Sequence, residues 1–97
     1  MIPEISVIIP THNREEFISR ALRSILNQSI SRHLYEIIVV DDGSSDNTLE
    51  VIKEYANEIR IIINKKNIGL PGSLNVGVKA SHGRFIIRLD SDDYVHH

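Results

Sequence analysis

Four short apolar runs punctuate the chain: Ile5-Ser6-Val7-Ile8-Ile9, Ile37-Ile38-Val39-Val40, Ile59-Arg60-Ile61-Ile62-Ile63 and Phe85-Ile86-Ile87-Arg88-Leu89. They are rich in β-branched residues, and the second is continuous rather than alternating. That pattern predicts strands covered on both faces, as in a parallel sheet. Between the first two, Ile18, Ala21, Leu22, Ile25 and Leu26 recur at helical steps and make one apolar stripe. Asn13 and Glu16 read as a capping pair before that helix. Leu49, Ile52 and Ala56 make a second stripe behind the cap-rich Ser44-Ser45-Asp46-Asn47. A third, shorter helix is expected with Pro71 in its first turn, Leu74 and Val78 as its stripe, and Gly83 at its end.

Strand and helix thus alternate in the order βαβαβαβ. This predicts an α/β fold of three layers, a mostly parallel doubly wound sheet of Rossmann-like type with right-handed crossovers. There is no linker, low-complexity segment or repeat, so the 97 residues read as one domain.

Composition narrows the function classes. The net charge of −2 supplies no basic face for nucleic acid. No apolar run is long enough to span a bilayer, and Met1-Ile2-Pro3-Glu4 lacks the start of a signal peptide. Cysteine is absent, which excludes disulfides and thiolate metal sites and suits a reducing compartment. A cytoplasmic location is the resulting expectation. His96 and His97, at the very end, are given no role.

In open parallel sheets ligands bind beyond the carboxyl ends of the strands. The residues following each strand are therefore read together. They are Pro10-Thr11-His12-Asn13, Asp41-Asp42-Gly43-Ser44, the stretch from Asn64 to Gly69 that includes Asn67, and Asp90-Ser91-Asp92-Asp93. Five carboxylates collect at this edge, and carboxylates held together demand a cation or protonation. Asp90 and Asp92 leave the same face of an extended segment. Their hard oxygens suit Mg²⁺ or Mn²⁺, which keep positions open for phosphates. Taken singly, each segment also reads as plain turn chemistry, and Lys65 and Lys66 as a solvated face. Their convergence on one edge is what favours a ligand site.

The same segments resemble the inverting family 2 glycosyltransferases of GT-A fold. The resemblance rests on Val7-Ile8-Ile9-Pro10-Thr11-His12-Asn13-Arg14, Ile38-Val39-Val40-Asp41-Asp42-Gly43-Ser44-Ser45-Asp46, Asn67-Ile68-Gly69, Asn75-Val76-Gly77 and Arg88-Leu89-Asp90-Ser91-Asp92-Asp93. It implies transfer of a sugar from a nucleotide diphosphate to an acceptor hydroxyl with inversion, dependent on Mn²⁺ or Mg²⁺. It also implies that residues 1–97 are the nucleotide-sugar-binding portion, truncated at the C-terminus, with the general base outside it. By the same resemblance Pro10, Thr11 and His12 line the base pocket, with Asn13, Asn67, Gly69 and Ser91 at the donor. Asp42 accepts from the base, Asp41 supports it or reaches the ribose, and Asp90 holds ribose or sugar. Asp92 is the principal metal ligand, flanked by Asp90 and Asp93. Among donors a UDP-sugar is favoured, ahead of GDP or dTDP. The expected acceptor is a glycan or lipid-linked glycan, which would put a longer protein at the inner membrane face.

Two positions depart from the family pattern. His12 stands where an aromatic tyrosine is frequent, and Leu74 where many members have a basic residue before the asparagine. Other readings are a non-catalytic nucleotide-binding module and a receiver-like Mg²⁺-binding signalling domain. The receiver reading needs an acidic pair after the first strand, where this chain has Pro10-Thr11-His12. Nucleotidyltransferases would show a glycine-rich loop there. A half-fold of this kind is also expected to expose an apolar patch and to self-associate.

Overall fold

The computed structural model describes residues 2–90. Four strands, β1 (Ile5–Thr11), β2 (Tyr35–Asp41), β3 (Arg60–Ile63) and β4 (Phe85–Arg88), form one sheet in the order β3-β2-β1-β4. Every pairing is parallel: Ile8 stands opposite Ile38 and Arg88, and Val39 opposite Ile61. Helices α1 (Ile18–Leu26), α2 (Thr48–Lys53) and α3 (Gly69–Ala80) connect them, with a short 3-10 turn at Arg32–Leu34.

The period of two along β1 and β2 divides the core. Val7, Ile9, Ile37 and Val39 point to one face, where Ile18, Leu22 and Ile25 of α1 and Ile52 of α2 cover them. Ile8, Ile38 and Val40 point to the other, against Leu74, Val76 and Ala80 of α3. The result is three layers, α/β/α. Ile8, Ile9, Ile38, Val39 and Val40 are all fully buried, as continuous apolar runs in central strands require.

Cover on both faces holds for β1 and β2 but not for the outer strands. Phe85, Ile86 and Ile87 remain 57, 44 and 48% exposed, because β4 lies at the sheet edge past the reach of the helices. Among the described residues no helix is long and apolar enough to cross a membrane.

Local expectations need four corrections. Asn13 and Glu16 do not cap α1, which starts at Ile18 without a side-chain cap; Asn13 instead has φ 51° and bonds to another loop. The second helix ends at Lys53, so Ala56 lies beyond it and is exposed, while Val51 and, past the helix end, Tyr55 pack on the core beside Ile52. In α3 Val78 is exposed, while the small residues Ser73 and Gly77 face the sheet. A Cβ on Gly77 would stand 2.4 Å from Ile8 Cγ2, so the helix lies closer than any side chain there permits. Gly83 does not close α3, which ends at Ala80. It lets the chain pass Ser6, whose amide nitrogen would be 2.6 Å from a Cβ.

A small cluster of charged and polar side chains ties the opposite, amino-terminal edge of the sheet. Glu36 accepts from Ser6 Oγ and the His82 amide, both at 2.6 Å, and from Arg60 at 3.1 Å. Arg60 in turn donates to the Ala80 carbonyl at the end of α3. Burial raises the Glu36 pKa, but these hydrogen bonds outweigh it and hold the group at about 2, against an ordinary 4.5.

Candidate functional site

Strands β1, β2 and β3 progress in one direction across the sheet, and β4 then joins the other side of β1. This reversal opens a crevice at the carboxyl ends of β1 and β4, the usual ligand position in doubly wound sheets. A cleft of about 380 Å³ lies there, lined by Pro10, His12, Arg14, Asp42, Asn67, Gly69, Leu70, Arg88 and Asp90. Six of these are expected site residues: Pro10, His12, Asp42, Asn67, Gly69 and Asp90. Arg14, Leu70 and Arg88 are additions to that set. Arg88 was legible in principle, since it is the last residue of the fourth strand and lies two residues before Asp90.

Asp42 is 1% exposed, and its carboxylate is committed within the chain. One oxygen accepts from Asn64 Nδ2 and the Ile68 amide, the other from the Gly69 amide, all at 2.9 Å. Burial raises its pKa, and the bonds from Ile68, Asn64, Gly69 and Ser73 bring it below the ordinary carboxylate value. Asp42 therefore forms the floor of the cleft and fixes the turn into α3. Gly69 permits that turn with φ 85°, a conformation costly for any residue with a Cβ.

His12 is half-buried at the cleft wall. Its Nδ1 lies 2.7 Å from the Asp42 carbonyl oxygen, which can only accept, so Nδ1 carries the hydrogen. Nε2 is then an acceptor, with Asn13 Nδ2 at 3.3 Å. Asn67 Nδ2 rests 3.4 Å from both ring nitrogens, which brings the third loop against the first.

Asp41, Thr11 and Asn13 lie outside the cleft lining. Asp41 is 2% exposed and accepts from the Ser44 amide and hydroxyl. Thr11 is fully buried, its Oγ1 without a hydrogen-bond partner among the described residues. Asn13 bridges loops: its Oδ1 accepts the Ser45 and Asp46 amides at 2.8 and 3.3 Å, and its own amide donates to Ser44 Oγ at 2.9 Å. Beside it the Arg14 amide donates to Thr48 Oγ1 at 2.7 Å. Asp46 Oδ1 accepts the Thr48 amide at 2.9 Å, but the cap position of α2 is Asn47, whose side chain makes no capping bond, so the Ser44–Asn47 stretch does not cap the helix in the expected way.

The acidic edge is thus less of a charge cluster than its composition suggests. Two of its carboxylates are buried and satisfied, and Asp90 is paired with Arg88 at 3.1 Å. Ser91, Asp92 and Asp93 lie outside the described residues. Among the described residues no group of three or more His, Asp or Glu is arranged to hold a metal ion.

Residues 6–97 match the sequence profile of the family described as Glycosyl transferase family 2. The chain is 39% identical over 93 residues to the Staphylococcus aureus poly(ribitol-phosphate) beta-N-acetylglucosaminyltransferase TarS, a match covering 93% of this chain and 16% of that protein. The crystal structure of S. aureus TarS 1-349 in complex with UDP superposes with a TM-score of 0.90 at 36% identity, over 96% of this chain and 28% of that one. A mannosyltransferase from Pyrobaculum calidifontis, in complex with GDP-Man and Mn²⁺, shares the fold with a TM-score of 0.92 at 24% identity, over all of this chain and 30% of its own. The chain therefore spans less than a third of the length of these proteins. From β1 through the acidic motif after β4, the chain belongs to glycosyl transferase family 2.

Proposed function

We propose that this chain forms the donor-binding portion of a glycosyltransferase that moves a sugar from a nucleotide diphosphate to an acceptor hydroxyl, with inversion and with a divalent cation. The observation that carries the proposal is the cleft at the β1–β4 reversal, lined by His12 and Asn67, which meet each other, and by Arg88 and Asp90, which pair. An imidazole ring beside an amide offers a flat face and hydrogen-bonding groups to a nucleobase. The arginine and aspartate of the same lining suit the polar, anionic end of the donor. Uracil is the favoured base, in keeping with the TarS structure that holds UDP.

The residues fit a hard cation in kind. Asp90 brings a half-buried carboxylate to the cleft, and Asp92 and Asp93 follow it within three positions. Carboxylate oxygens of this sort take Mg²⁺ or Mn²⁺. Asp92 would be the principal ligand, with Asp90 and Asp93 beside it, and the bound cation would stabilise charge on the departing diphosphate. The general base would come from chain beyond these 97 residues. The acceptor we infer is a glycan or lipid-linked glycan, at the cytoplasmic face of a membrane; the absence of cysteine agrees with a reducing compartment. The uncovered apolar side chains of β4 support self-association of this chain when it stands alone.

Calorimetry with UDP, GDP and dTDP, with and without Mn²⁺, tests this reading. Metal-dependent binding, strongest for UDP and lost in Asp92→Ala, is expected. No nucleotide binding in the presence of Mn²⁺ would overturn it.

A further inference from the structure

Two cations line the cleft without a role from the family resemblance: Arg14, whose guanidinium donates to the His12 and Asn13 carbonyls, and Arg88. Register places Arg88 opposite Ile8, so its side chain rises on the α3 face of the sheet, beside the start of that helix. Its side chain is 49% exposed, and among the described residues it makes one bond, from Nη2 to Asp90 Oδ1. A guanidinium offers five N–H donors in a planar fork that matches phosphate bidentately. Among the described residues, most of that capacity faces the cleft unused. The charge is also placed where this chain has none from the usual direction, since position 74 holds leucine.

The pair has a second property. Asp90 is the cleft's one carboxylate among the described residues that is not consumed by backbone amides, and Arg88 is what it is paired with. A cation arriving at Asp90 must compete with Arg88. A phosphate arriving at Arg88 releases Asp90. The two ligands of a metal–diphosphate pair would therefore each free the partner of the other.

We propose that Arg88 is a donor-binding residue that exchanges partners: it holds Asp90 in the empty cleft, and it turns to the diphosphate when donor and cation enter together. The inference rests on the donor-binding reading above. It makes the empty site resist a cation alone and accept it with the nucleotide.

The test is binding, with Mn²⁺ and UDP as probes, in the wild type and in Arg88→Gln and Arg88→Lys. Arg88→Gln should bind Mn²⁺ alone more tightly, by about threefold, the worth of an exposed ion pair. The same variant should bind UDP in saturating Mn²⁺ about tenfold more weakly, the worth of a hydrogen bond to a charged group. Arg88→Lys, which keeps the charge and loses the fork, should recover part of the UDP affinity. Changes of opposite sign are the signature, because a variant that merely loosened the edge strand would weaken both. If wild type binds UDP with Mn²⁺ and Arg88→Gln alters neither affinity, or lowers both, the partner exchange is wrong and the donor site stands. If wild type binds no UDP, the donor-binding reading fails and the exchange falls with it.

Discussion

Asp42, just past the end of β2, accepts the backbone amide of Gly69 at 2.9 Å, so the end of a strand holds down the start of a helix. The same carboxylate takes the neighbouring Ile68 amide, and the two bonds define the turn that carries Asn67 to the cleft. Replacing Asp42 with asparagine turns one acceptor into a donor facing an N–H. A loss of roughly 2–4 kcal/mol follows from one unsatisfied amide and a lost charge-assisted bond. Urea titration measures the loss, and hydrogen exchange at Ile68 and Gly69 should accelerate more than at β1. Uniform acceleration everywhere would show that Asp42 does not act locally.

Glu36 predicts a pH dependence of stability. Its folded pKa of about 2 lies below the ordinary 4.5, so the folded state binds the proton less readily than the unfolded chain. Its contribution is complete above about pH 4.5 and is lost as pH falls toward 2. At about 1.4 kcal/mol per unit, the amount is roughly 3 kcal/mol. Glu36→Gln should therefore be less stable than wild type at pH 7 and nearly equal to it near pH 2. An equal gap at both pH values in urea titrations would contradict the assignment.

Gly77→Ala should destabilise the fold by about 1–3 kcal/mol, since the new methyl meets Ile8 in a packed layer. In an Ile8→Ala background the same change should cost clearly less. A double-mutant cycle with no coupling would mean the helix simply shifts outward.

His12 supplies the ring beside the cleft, so its removal should fall on the nucleoside. His12→Ala is expected to weaken UDP binding about tenfold, and His12→Tyr to restore it, within the range of base–aromatic stacking. Calorimetry reads both. Equal affinity in all three proteins would remove the ring from the site.

The exposed β4 side chains predict association of the 97-residue chain at high concentration. Ile86→Lys, on the outermost strand, should shift sedimentation toward the monomer. A wild type that sediments as monomer across the accessible range would dismiss this interface.

The strand–helix alternation and both central strands were legible because Val7–Ile9 and Ile37–Val40 are unbroken apolar runs that only a double-covered strand can use. The outer strands carry the same residue types, and nothing local distinguishes an edge from a centre; strand order does that. The cleft was legible to the extent that strand ends converge. What pattern reading could not supply is the direction of hydrogen bonds between loops. Asp41 and Asp42 look alike in sequence, but one turns to Ser44 and the other to the Asn64–Gly69 segment. Asn13 looked like a cap because its spacing to Glu16 is right, and only the approach of Ser45 and Asp46 redirects it.

That last contact bears on redesign. The segment from His12 to Arg14 and the segment from Ser44 to Thr48 exchange amide bonds: Asn13 and Arg14 donate to Ser44 and Thr48, and Asn13 Oδ1 accepts from Ser45 and Asp46. Neither is an independent module. Transplanting the first segment from a relative to change base preference would strand the donors of the second, so the two must be exchanged as a matched cassette.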